Sequence, residues 1–266
     1  MLTFYGNPFS PFARKVQLIL EHKGIEYDYI DGLALDNRAK LARVNKRVEV
    51  PVIDHDGIIV VNSADIAAYL ERVFPEPSIY PADTKTWVQA RAWERCADST
   101  IDSIFVDISY WIWALRPDEM PEGLLDAARA DLTPIYDALD ADLEGKDWVC
   151  GELSIADIAL FPHLSGARML QASFDQQRHP NLLAWYKRCR DTKIFAEDMA
   201  RTKAYLSDPS TMSGVERNKI FWRGDRIEWI LAKGYHDWFL EEINEGRVMW
   251  PEYGPPAFHQ SRFRNG

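Results

Sequence analysis

A single small hydroxyl, Ser10, stands where a short apolar strand, Leu2-Thr3-Phe4-Tyr5, gives way to a helix opening on Pro11. Backbone N–H groups and the positive end of the helix dipole converge on such a junction, so an anion held there, a thiolate included, is stabilised. A Cys-x-x-Cys pair at this turn would support thiol–disulfide exchange through a lowered thiol pKa. Here the four residues read Ser10-Pro11-Phe12-Ala13. The chain has no sulfur of its own at the turn, and the chemistry left to it is activation of a sulfur brought by a ligand. Taken alone, Ser10 has a plainer role as helix N-cap.

The elements that must position Ser10 follow from the pattern of apolar residues. After Leu2–Tyr5, the residues Phe12, Val16, Ile19 and Leu20 recur at helical spacing from Pro11 to Lys23, and Gly24 suits the position just past the helix. Ile25–Ile30 alternates with period two and predicts a second strand, parallel to the first. A polar helical stretch covers Asp36–Val44. Two further strands, Pro51–Asp54 and Ile58–Val61, flank His55-Asp56-Gly57, a hairpin signal. Ser63 is expected to cap a helix running to about Phe74, with Ile66, Tyr69, Leu70 and Val73 on one face. The order is β-α-β-α-β-β-α.

Pro75-Glu76-Pro77 and Pro81-Ala82-Asp83 then punctuate the chain as a linker. From about Thr84 to Ala204 every periodic segment reads as helix. The expected organisation is an α/β domain over 1–76, an all-α domain over 84–206 and an aromatic-rich extension over 207–266. In that extension Asp225 and Glu228 form a capping-box pattern ahead of Ile227, Ile230, Leu231, Trp238 and Ile243, which predicts one more amphipathic helix. Pro251-Glu-Tyr-Gly-Pro-Pro is unsuited to regular structure.

Composition narrows the function classes. The chain has 266 residues, 47% of them hydrophobic, and a formal net charge of −10, which argues against nucleic acid or an anionic membrane surface as partner. No apolar run approaches the ~18 residues of a membrane helix, and Met1 leads into a strand pattern rather than a signal peptide. Cys96, Cys150 and Cys189 are widely separated thiols without a C-x-x-C pair. The six histidines lack metal-ligand spacing, so no metal is expected.

Four segments, met in order, resemble the glutathione S-transferase superfamily over roughly Leu2 to Ala204. Ser10-Pro11 with Arg14 and Val16 looks like the first-helix start of serine-type transferases. Asn45 through Val50-Pro51 is similar to the segment leading to that family's cis-proline. Asn62-Ser63-Ala64-Asp65-Ile66 resembles its Glu/Gln-Ser turn. Ser154-Ile155-Ala156-Asp157 after Gly151 resembles its buried capping box, a folding determinant. The resemblance implies a thioredoxin-like N-terminal domain followed by an all-α domain, the glutathione transferase-like architecture. It also implies a cytoplasmic homodimer that uses glutathione as cosubstrate and a small hydrophobic electrophile as second substrate.

The roles it implies are residue by residue. Ser10 donates a hydrogen bond to the glutathione sulfur and favours the thiolate. Val50, preceding a cis Pro51, offers its backbone N–H and C=O to the peptide. Ser63, assisted by Asn62, binds the γ-glutamyl carboxylate. Two positions depart from the family pattern. Val48-Glu49 stands where Gly then Gln or Lys is usual, with Lys40, Lys46 and Arg47 as nearby cations, and Asn62 is one carbon shorter than the usual Glu or Gln. These departures keep open an alternative, a non-catalytic binding or scaffold protein on the same fold. A disulfide or dehydroascorbate reductase is disfavoured because no cysteine lies in the turn.

Other candidates are weighed against plainer roles. Tyr5, inside an alternating strand, reads as a core aromatic. Arg14 reads as a helix-surface or interdomain cation and Glu49 as a solvent-facing loop charge. Tyr110, Trp111 and Trp113 are candidates to line an electrophile pocket, with the C-terminal tail as its lid, though aromatics at helical spacing are more often core.

Overall fold

The computed structural model of the chain describes residues 1–112, 119–208, 220–221 and 224–249. From the N-terminus the elements are β1 (Leu2–Gly6), α1 (Pro11–His22), β2 (Asp28–Asp31), a short 3-10 turn (Leu35–Asn37), α2 (Arg38–Val44), β3 (Val52–His55), β4 (Ile58–Val61) and α3 (Ser63–Val73). The helical run follows: α4 (Thr84–Cys96), a π-helical turn (Ala97–Ile101), α5 (Asp102–Ile112), α6 (Leu124–Asp142), α7 (Ile155–Gly166), α8 (Pro180–Asp191) and α9 (Lys193–Ser207). The last described elements are β5 (Ile220–Phe221), α10 (Gly224–Ala232), α11 (His236–Asn244) and β6 (Val248–Met249). Contacts divide the chain into two compact units.

The first unit comprises Met1–Tyr80 together with the described residues from Cys189 onward to 208. Its sheet runs β2-β1-β3-β4, with β1 and β2 parallel and the β1–β3 and β3–β4 pairs antiparallel. Because side chains alternate across a strand, β1 sends Phe4 and Tyr5 to opposite faces. Tyr5 and its partner Val52 pack with Leu41 of α2, while Phe4 and its partner Ile53 are buried on the other face, toward α1 and α3. The β3–β4 turn has Asp56 at φ 51° and Gly57 at φ 88°, two left-handed residues that match the twist of a two-residue hairpin.

Two boundaries differ from the sequence expectation for physical reasons. The second strand begins at Asp28 rather than Ile25, because the chain there closes α1: Gly24 is left-handed at φ 64° and the Ile25 N–H donates to the Leu20 carbonyl at 2.9 Å. The third helix is capped by Asn62, not by Ser63, which is its first helical residue.

The second unit holds Pro81–Arg188 with the described residues of 220–249. Its α7 starts on the expected capping box, with Ser154 at the N-cap and Asp157 at the third helical position. Asp157 is buried and accepts from the Val149 and Ser154 N–H groups, both at 3.0 Å, and from Trp185 Nε1 at 2.8 Å. Two short helices, α10 and α11, stand where the pattern predicts one. Gly234, left-handed at φ 89°, breaks the run. The Asp225 side chain and Pro251–Pro256 lie outside the described residues.

Candidate functional site

The sheet brings the expected site segments to one end. Tyr5 lies opposite Val52, and Val52 lies opposite Val61. That shared rung is the end of both antiparallel ladders, β1–β3 and β3–β4. The turn leaving β1, the loop entering β3 and the turn leaving β4 therefore emerge side by side, carrying Ser10, Val50-Pro51 and Asn62-Ser63 respectively. On the far side of β1, Gly6 pairs with Asp31 at the end of β2.

Ser10 is the N-cap of α1, and its Oγ accepts the Ala13 N–H at 3.3 Å, with Pro11 occupying the first helical position. A hydroxyl has two acceptor lone pairs and one donor hydrogen. The cap uses acceptor capacity, so the hydroxyl hydrogen remains available for an acceptor brought to the turn. The preceding residues are held by Asn7, which is buried. Its Oδ1 accepts the Phe9 N–H at 2.9 Å, its carbonyl accepts the Ser10 N–H at 3.2 Å, and its Nδ2 donates to Asp31 Oδ1 at 3.0 Å.

A second asparagine shapes the β3 entry loop. Asn45 is buried, accepts the Arg47 N–H at its side chain (3.1 Å) and the Val48 N–H at its carbonyl (2.9 Å), and donates to the Glu49 carbonyl at 2.9 Å. Val48 is left-handed at φ 54° and the Val50–Pro51 peptide is cis. Glu49 is not a solvent-facing charge: its carboxylate pairs with Arg47 at 2.7 Å, and both side chains are half-buried. Of the other nearby cations, Lys40 is exposed and donates to Asn37 at 3.0 Å.

Asn62 takes φ 70°, ψ 131°, and its side chain is turned onto the helix it precedes, donating from Nδ2 to Asp65 Oδ2 at 3.1 Å. Ser63 is 6% exposed and sits in the first turn of α3, where the helix dipole presents its positive end.

The structure also settles where Arg14, Tyr5 and Trp111 lie. Arg14 is buried inside the first unit, and its guanidinium grips the Asp198 carboxylate of α9 through Nε at 3.0 Å and Nη2 at 2.6 Å. It is thus not a helix-surface cation, and its partner lies within 84–206, the stretch the sequence assigns to the all-α domain. Tyr5 is a core residue as expected, and burial raises its phenol pKa. Trp111 is 4% exposed and packs on Trp238 of α11, with ring centroids 5.3 Å apart, so it is a core residue of the second unit. The Tyr110 side chain, Trp113 and the tail beyond Met249 fall outside the described residues. Among the described residues no cluster of His, Cys, Asp and Glu is arranged to hold a metal. No described helix is long and apolar enough to cross a membrane.

Sequence reasoning missed Asn7, Gly32, Asp198 and Thr202. Asn7 had a signal, since Asn-Pro favours turn initiation. Gly32 lies against Val50, and a Cβ there would meet Val50 Cγ1 at 2.8 Å. Nothing local distinguishes Asp198 or Thr202 from any other polar helix residue.

The site-bearing segment matches a family model, glutathione S-transferase N-terminal domain, over residues 4–78, and residues 122–188 match that of the glutathione S-transferase C-terminal domain. The chain belongs to the glutathione S-transferase superfamily. Relatives of this glutathione S-transferase family member include a probable glutathione S-transferase of Nicotiana tabacum, 29% identical over 157 residues, which span 58% of this chain and 66% of that protein. GstB of Escherichia coli K12 is 24% identical over 193 residues, 70% of this chain and 92% of the relative. The crystal structure of a glutathione S-transferase from Rhodospirillum rubrum F11 shares the fold, with a TM-score of 0.66 at 24% identity over 81% of this chain and all of that one. Both α9 and the C-terminal helices lie beyond the two family models.

Proposed function

We propose that this chain, a glutathione transferase by family, activates the thiol of glutathione for attack on a hydrophobic electrophile, by conjugation or by thiolytic cleavage. Ser10 donates its hydroxyl hydrogen to the sulfur and stabilises the thiolate, so the nucleophile belongs to the cosubstrate and the protein supplies orientation and electrostatics. Val50 holds the peptide through its backbone. Ser63 and the first turn of α3 hold the γ-glutamyl carboxylate, with Asn62 alongside. The domain limits of this reading are 1–76 for the glutathione-binding part, 84–206 for the helical part and 207–266 for the extension. It also includes a cytoplasmic homodimer, an expectation that rests on the family.

One observation carries the reading. A serine that caps α1 as an acceptor and keeps its donor hydrogen available emerges at the same end of the sheet as Val50-Pro51 and Ser63. The three cysteines point away from exchange chemistry of the protein's own: burial pushes the Cys96 thiol up to about 11 and raises that of Cys150, and Cys189 is buried. A second reading, a binding or scaffold protein that kept the fold, draws on Asn62, whose amide is engaged by Asp65.

Calorimetric titration with glutathione separates the two. Saturable binding, with the Ser10→Ala variant folded but its turnover down about a hundredfold or more, supports the transferase reading. No binding at millimolar glutathione leaves the scaffold reading in its place. Normal turnover in Ser10→Ala removes Ser10 from the mechanism.

A further inference from the structure

Two residues of α9 bracket the Ser10 turn from a point nearly two hundred positions along the chain. Asp198 binds Arg14 with both carboxylate oxygens, at 3.0 and 3.1 Å from Nε and 2.6 Å from Nη2, and the two side chains are 1% and 5% exposed. Arg14 is itself tied to the cap, since its N–H donates to the Ser10 carbonyl at 2.9 Å. One helical turn beyond Asp198, the Thr202 hydroxyl lies 3.1 Å from the Pro8 carbonyl and 3.0 Å from the Asp198 carbonyl, within hydrogen-bond reach of both. Asp198 and Thr202 are four residues apart and so lie on one face of α9. They fix the chain two residues before Ser10 and four residues after it.

We infer that Asp198 and Thr202 are positioning residues that set the direction of the Ser10 hydroxyl. The inference rests on the reading that Ser10 stabilises the glutathione thiolate. Stabilising a thiolate by one hydrogen bond depends on donor direction, because the interaction weakens steeply with angle. The four-residue turn between β1 and α1, Asn7 to Ser10, can rock about its ends unless both are held. Asn7 holds the turn to the sheet through Asp31, and Thr202 and Asp198 hold it to α9. A bidentate ion pair adds geometric definition as well as energy, which suits it to hold a helix start in register. A second ion pair between the same two helices, Arg201 with Glu21 at 2.9 Å, lies at the other end of α1 and serves as a control remote from Ser10.

The test uses the full chain with glutathione itself as probe. The thiol pKa of bound glutathione is read from thiolate ultraviolet absorbance across a pH titration, beside binding by calorimetry and the thermal midpoint. Ser10→Ala should raise that pKa to near the free-thiol value. Thr202→Val, close in shape but without the hydroxyl, should raise it part of the way, corresponding to about a five- to tenfold smaller thiolate fraction at neutral pH, while glutathione affinity changes less than about twofold. Thr202→Ser should restore the wild-type titration. Asp198→Asn should act in the same direction, and Arg201→Gln should leave the titration unchanged.

Asp198→Asn weakens a buried ion pair; should it fail to fold, Thr202→Val and its serine rescue decide. An unchanged thiol pKa in Thr202→Val, with a raised one in Ser10→Ala, overturns the inference and leaves the Ser10 reading standing. An unchanged pKa in Ser10→Ala overturns both. A shift in Arg201→Gln as large as in Thr202→Val also overturns the inference, because any loosening of α9 would then suffice.

Discussion

Arg47 Nη2 lies 2.7 Å from Glu49 Oε2, so the acidic residue beside the Val50–Pro51 pair is neutralised within its own loop. Family resemblance places a neutral or basic residue at this position, and the pair explains how a carboxylate is accommodated beside the site proposed for an anionic tripeptide. The pair also occupies the cation that would otherwise attract such a ligand. Glu49→Gln should release that charge and bring glutathione affinity up about two- to fivefold at low ionic strength, as befits a partly exposed charge. Calorimetry at two salt concentrations checks this, since the gain should shrink as salt rises. Weaker binding in Glu49→Gln would mean that the Glu49 carboxylate organises the loop and that its charge is secondary.

Gly32 is the second lever on the same loop. A Cβ added there would come within 2.8 Å of Val50 Cγ1 and 3.3 Å of Leu41 Cδ2. Both neighbours belong to the cluster around Tyr5, Leu41 and Val52. Gly32→Ala should therefore displace Val50, at an overpacking cost of about 1–3 kcal/mol. Glutathione affinity should fall about three- to tenfold, while the bound thiol pKa, which the proposed mechanism assigns to Ser10, should stay at the wild-type value. A fall in stability with unchanged affinity would remove Val50 from the binding surface.

The order of strands and helices in the first unit was legible because each element announces itself by period and punctuation. Leu2–Tyr5, the helix-spaced Val16, Ile19 and Leu20, and Asp56-Gly57 between two apolar runs are all local signals. The placement of Ser10, Val50-Pro51 and Ser63 was legible for the same reason: each sits at or next to a strand or helix end. The helix-surface role expected for Arg14 failed because burial of an arginine depends on a partner, and that partner, Asp198, lies 184 residues away. No local pattern encodes such a pairing. The N-cap of α3 was misplaced by one residue because Asn62 adopts φ 70°, and a left-handed residue is not visible in a sequence where serine follows. Trp111 was ambiguous for a third reason. Its burial depends on Trp238, in a segment whose packing the apolar pattern does not specify.

In the second unit Asp157 links the start of α7 to α8. It accepts from two backbone N–H groups, the Ser154 hydroxyl at 3.2 Å and Trp185 Nε1 at 2.8 Å. Burial pushes its carboxyl up to about 6, with those hydrogen bonds pulling the other way. Asparagine would place an N–H₂ group among donors, so Asp157→Asn should cost about 2–4 kcal/mol. The sign of the pH dependence follows from the raised folded value. A carboxyl that binds its proton more tightly when folded stabilises fully below its unfolded pKa, and this contribution is lost as pH rises through about 6. The gap in thermal midpoint between wild type and Asp157→Asn should therefore narrow between about pH 4.5 and about pH 7.5. A gap that widens over that range would mean that the hydrogen bonds outweigh burial and hold the carboxylate ionised.

The C-terminal helices are tied to the second unit by side chains that a short truncation or substitution can release. Trp229 Nε1 donates to Asp131 Oδ2 at 2.6 Å, Lys233 pairs with the same oxygen at 2.5 Å, and Trp238 covers Trp111 at 5.3 Å between ring centroids. One carboxylate on α6 thus anchors α10, while an aromatic pair fixes α11. Trp238→Ala should cost about 3–5 kcal/mol in the second unit through loss of a large apolar contact. Hydrogen exchange should accelerate across 224–249 and in α5, with protection of β1, β3 and α1 unchanged. Asp131→Asn, which removes the charge but keeps an acceptor, should loosen α10 less than Trp238→Ala loosens α11. Unchanged exchange in 224–249 after Trp238→Ala would mean that these helices are held by contacts other than the Trp111–Trp238 pair.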